Sequence, residues 1–180
     1  MTQLSEQEIV NGCRQGLRVA QYELYRRYNR AMFGTCLRMC GNREDAEDVL
    51  QGSFADVYGK LDYFRGDSTI GAWIKRIVIN NCLNHLKRRR LHFAELKEEF
   101  SPAEEVKVFE EDRSMDVARI QAAVKRLPDG YRTVLSLYLF EGFDHAEIGE
   151  VLNISEQTSK SQYSRARKRL RDELAQETLT

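Results

Sequence analysis

Long apolar runs, proline and cysteine are all scarce in this 180-residue sequence. No apolar stretch approaches the roughly 18 residues that a membrane-spanning helix needs, and the polar start around Ser5 and Glu8 lacks the apolar core of a signal peptide. Because the chain has only two prolines, few helices are interrupted. Four cysteines are too few for a disulfide framework in a chain of this length. We therefore expect a helical protein that stays in the cytoplasm without inserting into a membrane.

The net charge is zero, because 28 basic residues balance 28 acidic ones, but the charges are unevenly distributed along the chain. Residues 1–92 carry 15 basic and 10 acidic groups, residues 93–114 carry 3 and 8, and residues 115–180 carry 10 of each. The middle segment contains Ser101-Pro102 and no sustained apolar face, which is typical of a mobile linker. A short acidic helix packed on one domain is the alternative. We predict two small helical domains, 1–92 and 115–180, joined by an acidic linker at 93–114.

A helix-turn-helix is predicted in the last third of the chain. Gly149 leaves room for a close helix crossing, Asn153 tolerates a left-handed backbone, and Ser155 is a preferred helix N-cap. From Ser155 to Arg171 six basic residues accompany a single acid, which suits contact with a phosphate backbone. One apolar stripe is left for the core: Tyr163, Ala166, Leu170 and Leu174. A helical hairpin with a merely solvated charged face is the alternative.

A second basic surface is predicted on a helix that begins near Ile70. No acidic residue occurs from Ile70 to Ala94, and Trp73, Ile74, Ile77 and Val78 mark the apolar side of the helix. The other side carries basic residues and amides: Lys75, Arg76, Asn80, Asn81, Asn84, Lys87 and Arg88. Because basic groups hold phosphates and asparagine can contact base edges, this mixture suits the reading of bases. The alternative is that the asparagines only satisfy neighbouring backbone groups. In the loop just ahead, Phe64 could stack on an unpaired base.

Residues that could support chemistry give only weak signals. Cys36 and Cys40, with His85 and His92, suggest a zinc site, but small buried thiols in an apolar helix are the commoner outcome. An enzyme acting on nucleic acid would need a nucleophile with its base, an acidic metal cluster or a glycine-rich phosphate loop, and none is recognisable. We predict no catalytic residue, no metal and no cofactor.

Several motifs follow one another in a fixed order. They are Asp45-Ala46-Glu47-Asp48-Val49-x-Gln51-x-x-Phe54, then Phe64-Arg65-Gly66, then Trp73-Ile74-x-x-Ile77-x-x-Asn80, a basic run, and Leu127-Pro128 ahead of the helix-turn-helix. Over residues 5–92 and 114–175 the sequence resembles an extracytoplasmic-function sigma factor, the smallest class of bacterial RNA polymerase specificity subunit. The resemblance implies an all-α fold, with a sigma region 2 helical bundle in the first domain and a sigma region 4 helix-turn-helix in the second.

The resemblance also implies partners and contact surfaces. The partners would be core RNA polymerase (its largest-subunit clamp helices and its flap), promoter DNA and an anti-sigma factor. The residues matching the polymerase-binding surface are Asp45, Asp48, Val49, Gln51 and Phe54. Those matching the surface that recognises and melts the minus-ten element are Phe64, Asp67, Lys75, Arg76, Asn80, Asn84 and Arg88. Those matching the minus-thirty-five surface are Ser155, Thr158, Ser159, Lys160, Gln162, Arg165 and Lys168.

Alternatives to this interpretation remain at two levels. Asp45 and Asp48 are also favoured near a helix N-terminus by the helix dipole, whatever they bind. Ser159, Gln162 and Asn84 depart from the residue types usual in the family, which bears on the DNA sequence preferred. For the whole chain, the alternative is a stand-alone helix-turn-helix transcriptional regulator.

Overall fold

A computed structural model describes residues 4–93 and 117–177 of the chain. These two ranges are helical, as predicted. Four helices come from the first range: α1 (Glu6–Arg14), α2 (Arg18–Cys40), α3 (Arg43–Lys60) and α4 (Ile70–Phe93), with a 3-10 turn at Leu61–Tyr63. The second range supplies α5 (Val117–Arg126), α6 (Asp129–Leu139), α7 (His145–Leu152) and α8 (Glu156–Glu177).

Contacts between residues group the chain into two compact units, Met1–Arg88 and Arg89–Thr180. Almost all of the predicted acidic linker, 93–114, lies outside the described residues, so its form stays a prediction. None of the helices in the described ranges has both the length and the apolar composition needed to cross a bilayer.

Local sequence signals set the helix ends in the first unit. Ser5 Oγ accepts a hydrogen bond from the Glu8 N–H, and the Glu8 carboxylate accepts one from the Ser5 N–H, which completes a capping box at the start of α1. Gly41 ends α2 with a left-handed φ of 83°. Asn42 then begins α3 by accepting a hydrogen bond from the Asp45 N–H.

The core of the first unit uses one face of α4. The fully buried positions on that face are Ile74, Val78 and Cys82, whereas Trp73 and Ile77 are only half-buried at its margin. The apolar side predicted from the sequence is therefore rotated slightly from the one observed. Because apolar side chains on both flanks of the helix are also covered, the buried arc is wider than a single stripe: Ile70, Ile79, Leu83 and Leu86 extend it.

Three thiols meet where α4 packs on α2. Cys36, Cys40 and Cys82 are free and buried, as expected for small side chains in an apolar helix. Hydrogen bonds with Cys36 and Cys40, together with burial, raise the pKa of the Cys82 thiol. Within the described ranges, no group of three or more His, Cys, Asp or Glu residues is arranged to hold a metal ion.

The second unit packs α5, α6 and α8 around a small core. Its members are Val124, Leu127, Leu135 and Ala166, with Ile120, Tyr131, Tyr163 and Leu170 packed against them. Ala166 and Leu174 are buried and Tyr163 and Leu170 half-buried, so the stripe predicted on this helix faces the core.

Only Leu127 and Pro128 separate α5 from α6. Pro128 is the N-cap of α6 and Asp129 is its first residue. The buried face of α6 includes Val134 and Leu137, whereas Leu139 at the end of the helix is 51% exposed. The buried Arg132 reaches back along the turn and donates a hydrogen bond of 2.7 Å to the Leu127 carbonyl, which satisfies an acceptor at the end of α5.

Candidate polymerase and nucleic-acid interfaces

The predicted polymerase-binding residues of α3 divide into exposed and buried groups. Asp48 and Gln51 are exposed, whereas Val49 and Phe54 are 7% and 3% exposed and belong to the core. The Phe54 ring packs edge-on against Tyr25 with centroids 4.8 Å apart. A partner on the outer face of α3 would therefore meet Asp48 and Gln51, and Val49 and Phe54 pack behind that face, so a direct polymerase contact by these two apolar residues stays a prediction.

Asp45 is held by neighbours within its own unit. Asn42 Nδ2 donates to Asp45 Oδ2 at 2.6 Å. His85 Nε2 of α4 lies 3.3 Å from Asp45 Oδ1, within ion-pair distance when the imidazole is protonated, although the geometry is not that of a hydrogen bond. Asp45 is half-buried and also sits in the first turn of α3, where the helix dipole favours a carboxylate. Asp45 therefore links α3 to α4 within the unit, independently of any contact with a partner protein.

The outer side of α4 carries a row of exposed side chains. Arg76, Asn80, Asn84 and Arg88 recur every four residues and are all exposed. Neighbouring members at this interval lie next to one another on the helix surface, so the row runs for about 18 Å along the helix while turning by about 120° around it. Neither asparagine has a hydrogen-bond partner elsewhere in the described part of the chain, so their amides are not consumed by neighbouring backbone. The row offers cations at both ends and amides between them, and Lys75 lies half-buried beside it.

Asn81, adjacent in sequence to Asn80, has a different role. Its Nδ2 donates to Asp56 Oδ2 at 3.0 Å and to the buried Ser53 Oγ at 3.2 Å, both on α3. The hydrogen bond from Asn81 to Asp56, and to a lesser extent the ion pair with Lys60, lowers the pKa of the Asp56 carboxyl. Asn81 therefore fixes α4 against α3, and it orients the exposed row relative to the exposed outer face of α3.

The loop between the 3-10 turn and α4, residues 64–69, is anchored at one end. Phe64 is half-buried, and its ring packs on Trp73 with centroids 5.4 Å apart. Beyond it, Asp67 is exposed, and Gly66 takes a left-handed φ of 83° with open space where a Cβ would stand. Tyr63, just before this loop, is 77% exposed. Tyr63 was not among the site residues predicted from the sequence.

The helix-turn-helix forms as the sequence predicted. Asp144 and Glu147 make a capping box at the start of α7, and Asn153 ends that helix with a φ of 55°. A Cβ on Gly149 would lie 2.9 Å from the Ile154 carbonyl oxygen, so only glycine lets the turn pass this closely. Ser155 Oγ accepts the Thr158 N–H at 3.0 Å and begins α8.

Ser159 is not available to DNA in this structure. Its side chain is fully buried, and its Oγ is joined to His145 Nδ1 of α7 by a hydrogen bond of 2.9 Å. Tyr138 stacks on the His145 ring with centroids 4.5 Å apart, and Tyr163 closes the cluster 4.6 Å from Tyr138. In this structure Ser159 fixes α8 against α7, and the aromatic cluster connects both helices to α6, so the predicted base contact at Ser159 stays a prediction.

The remaining predicted residues of α8 differ in how exposed their side chains are. Lys160 and Lys168 are exposed, and Lys160 pairs with Glu156 at 2.6 Å. Ser155 is exposed, whereas Thr158, Gln162 and Arg165 are half-buried along one flank. Two exposed residues on the outer face, Gln157 and Ser164, were missed by the sequence prediction. Their spacing of three and four residues from Lys160 was the signal that could have found them.

Known proteins match both units in the same order. The sigma-70 region 2 family model matches residues 24–92, and the sigma-70 region 4 family model matches residues 118–170. RNA polymerase sigma-H factor of Pseudomonas aeruginosa is 30% identical, over 93% of this chain and 92% of its own length. The extracytoplasmic-function (ECF) RNA polymerase sigma factor SigM of Mycobacterium tuberculosis is 30% identical, over 92% of this chain and 83% of its own length.

Two solved structures share the fold. The sigma factor RpoE of Bartonella quintana, solved in complex with the anti-sigma factor NepR, superposes with a TM-score of 0.55 at 24% identity and covers 81% of this chain and 90% of that one. CnrH, solved in complex with the cytosolic domain of CnrY, gives a TM-score of 0.54 at 23% identity. The match covers 94% of this chain and 97% of that one.

Proposed function

This chain belongs to the extracytoplasmic-function sigma factors of the sigma-70 family, and we propose that its two units divide the work of such a subunit between them. The chain binds core RNA polymerase, directs it to specific promoters, and initiates transcription by binding and melting promoter DNA. The first unit takes polymerase and the minus-ten element, and the second takes the minus-thirty-five element and the polymerase flap. The chain needs no catalytic centre of its own and works in the cytoplasm, with an anti-sigma factor as a further partner.

The observation that carries this proposal is the exposed row on α4. Asn80 and Asn84 present unengaged amides between Arg76 and Arg88, so the face can hold a phosphate backbone at both ends and contact bases between them. The half-buried Phe64 at the start of the adjoining loop supplies an aromatic surface for an unstacked base. A surface of this kind suits single-stranded DNA better than duplex, which fits a protein that opens promoters.

In the second unit, α8 supplies the duplex contact. Lys160, Ser164 and Lys168 share the exposed outer face, and Gln157 stands at its N-terminal end, where recognition helices contact base edges. Arg165 lies on the flank and can reach a phosphate. On the first unit, Asp48 and Gln51 form the polymerase-facing side of α3, opposite the buried support from Phe54.

Promoter opening tests the proposal, with Asn80→Ala and Asn81→Ala as a contrasted pair. Wild-type holoenzyme should make minus-ten thymines reactive to permanganate, whereas the free chain and core enzyme alone should not. Asn80→Ala should keep its core affinity and unfolding midpoint but open a duplex promoter more slowly, because only a DNA contact is lost. Asn81→Ala should lower the unfolding midpoint, because it breaks the hydrogen bonds to α3.

Two results would contradict the assignment. Opening by Asn80→Ala at the wild-type rate on both duplex and premelted promoters would remove Asn80 from the DNA surface. Tight, sequence-specific promoter binding by the free chain, with no effect of core enzyme, would favour a stand-alone regulator.

A further inference from the structure

The guanidinium of Arg14, at the end of α1, donates hydrogen bonds to the backbone that leads into the 64–69 loop. Arg14 Nη2 donates to the Phe64 carbonyl at 2.6 Å, and Nε and Nη2 each lie 3.3 Å from the Leu61 carbonyl. Those acceptors are 47 and 50 residues away in sequence. Hydrogen bonds from a charged donor are stronger than neutral ones, so one side chain holds both ends of a short turn.

The position of α1, which carries Arg14, is fixed by its packing in the core. Ile9 and Val10 are 1% and 3% exposed in the core. Gly12 packs so closely that a Cβ there would lie 2.6 Å from the Cβ of Ala20 in α2. The capping box fixes the start of the helix, so the position of Arg14 relative to the core is set before its side chain reaches the loop.

Phe64 is consequently fixed at three points. Its N–H donates to the Leu61 carbonyl at 3.1 Å, its own carbonyl accepts from Arg14, and its ring packs on Trp73. The residues that follow, from Arg65 to Thr69, are all exposed. Phe64 is therefore the last anchored residue before the solvent-exposed part of the loop.

We propose that Arg14 is a positioning residue for promoter melting, holding Phe64 ready to receive an unstacked base of the minus-ten element. This rests on the proposed function. The sigma-70 region 2 match begins at residue 24, so α1 and Arg14 lie outside the segment that matched the family model. The proposal thus assigns a role to a helix for which the family match gives none.

The physical reason is the entropy of ordering. An unstacked base gains stacking energy only if the aromatic ring is already in place, since otherwise part of that energy is spent in ordering the loop. Arg14 supplies this order in advance. Its loss should slow opening while leaving core binding unchanged, because Asp48 and Gln51 lie on a different helix.

A double-mutant cycle in holoenzyme tests the proposal, using Arg14→Ala, Phe64→Ala and the combined variant on a duplex promoter. Arg14→Ala should slow open-complex formation about tenfold, the size expected from losing charge-assisted hydrogen bonds. Added to Phe64→Ala, it should cause no further loss, because Arg14 acts through Phe64. Arg14→Lys, which keeps the charge and can reach one carbonyl, should restore part of the rate. Arg18→Ala is the matched control: Arg18 is an exposed arginine with no partner in the described part of the chain.

Each other outcome has a definite meaning. Wild-type opening by Arg14→Ala, or equal losses in the wild-type and Phe64→Ala backgrounds, overturns the proposal. Parallel loss of core affinity in Arg14→Ala and Arg14→Lys also overturns it, because Arg14 would then support the whole unit. Failure of the wild-type holoenzyme to open any promoter would instead count against the proposed function.

Discussion

Replacement of the buried Ser159 by alanine should destabilise the second unit. The change removes the Oγ that is joined to His145 Nδ1 at 2.9 Å and leaves that ring nitrogen without its partner. Ser164→Ala is a matched control on the same helix, because Ser164 is exposed and has no hydrogen-bond partner among the described residues. Both substitutions exchange the same residue types in α8, so the comparison isolates the burial of Ser159 and its part-buried hydrogen bond to His145.

The magnitude follows from two terms. Leaving a buried polar group unsatisfied costs about 1–3 kcal/mol. Alanine is the better helix former, by about 0.5 kcal/mol, but that gain applies at both sites and cancels in the comparison. We therefore expect Ser159→Ala to have a free energy of unfolding about 1–3 kcal/mol below that of Ser164→Ala.

Urea unfolding of the full chain, followed by two probes, measures the difference. The chain has one tryptophan, Trp73, which lies in the first unit, so its fluorescence reports that unit, whereas far-UV circular dichroism reports both. Ser159→Ala should move the dichroism transition to lower urea. A difference below about 0.5 kcal/mol between Ser159→Ala and Ser164→Ala would refute the reasoning, because surface substitutions vary by that much. Loss of minus-thirty-five binding by Ser159→Ala at unchanged stability would restore the direct DNA contact.

Three further predictions address other parts of the structure. Asp48→Arg should weaken binding to core polymerase, at a cost on the order of 1–3 kcal/mol, with a normal circular dichroism spectrum; unchanged affinity in a titration against core would remove α3 from the interface. Gly149→Ala should be less stable to urea than Gly52→Ala, because its Cβ meets a backbone carbonyl at 2.9 Å while nothing lies within 4 Å of a Cβ at the other site; equal stabilities would contradict the tight turn. Asn81→Ala should raise the pKa of Asp56 in an NMR titration; since a lowered carboxyl pKa contributes stability that is present above the unfolded pKa and lost as pH falls through the folded pKa, the variant should be less stable near neutral pH and lose less stability on acidification through that window, and an unmoved pKa would refute the hydrogen bond's role.

Local signals were enough to predict the turn of the helix-turn-helix. Asn153 and Ser155 each act within a few residues of themselves, through a left-handed backbone and a helix cap. Such interactions are visible in sequence because both partners lie in one short segment. The all-α class and the order of the two helical domains were predicted from the scarcity of proline and from the family motifs.

The orientation of each helix was harder to predict. Family motifs located Val49, Phe54 and Ser159 on the correct helices, but the packing of other helices decides which side faces inward. Ser159 lies four and seven residues before Tyr163 and Ala166, so the apolar stripe of α8 already indicated its burial. Polarity alone suggested a contact surface, and the rotation of the helix overrides it.

Long-range polar contacts were beyond the sequence. Nothing in the run of asparagines on α4 distinguishes Asn80, which is exposed, from Asn81, which bonds to α3 residues 25 and 28 positions earlier. Arg14 likewise meets acceptors on a turn that is distant along the chain. These contacts depend on how whole helices come together, which a pattern read along one segment does not encode.

The central claim is that this chain confers promoter specificity on RNA polymerase, and run-off transcription tests it most directly. Core enzyme is compared with and without the chain on a library of promoter fragments at one salt concentration, with the Asp48→Arg variant run in parallel. We expect discrete transcripts from a subset of fragments sharing two spaced elements, only when the wild-type chain is present, and reduced yield with the variant. The same transcripts from core enzyme alone, or none with the chain present, would contradict it.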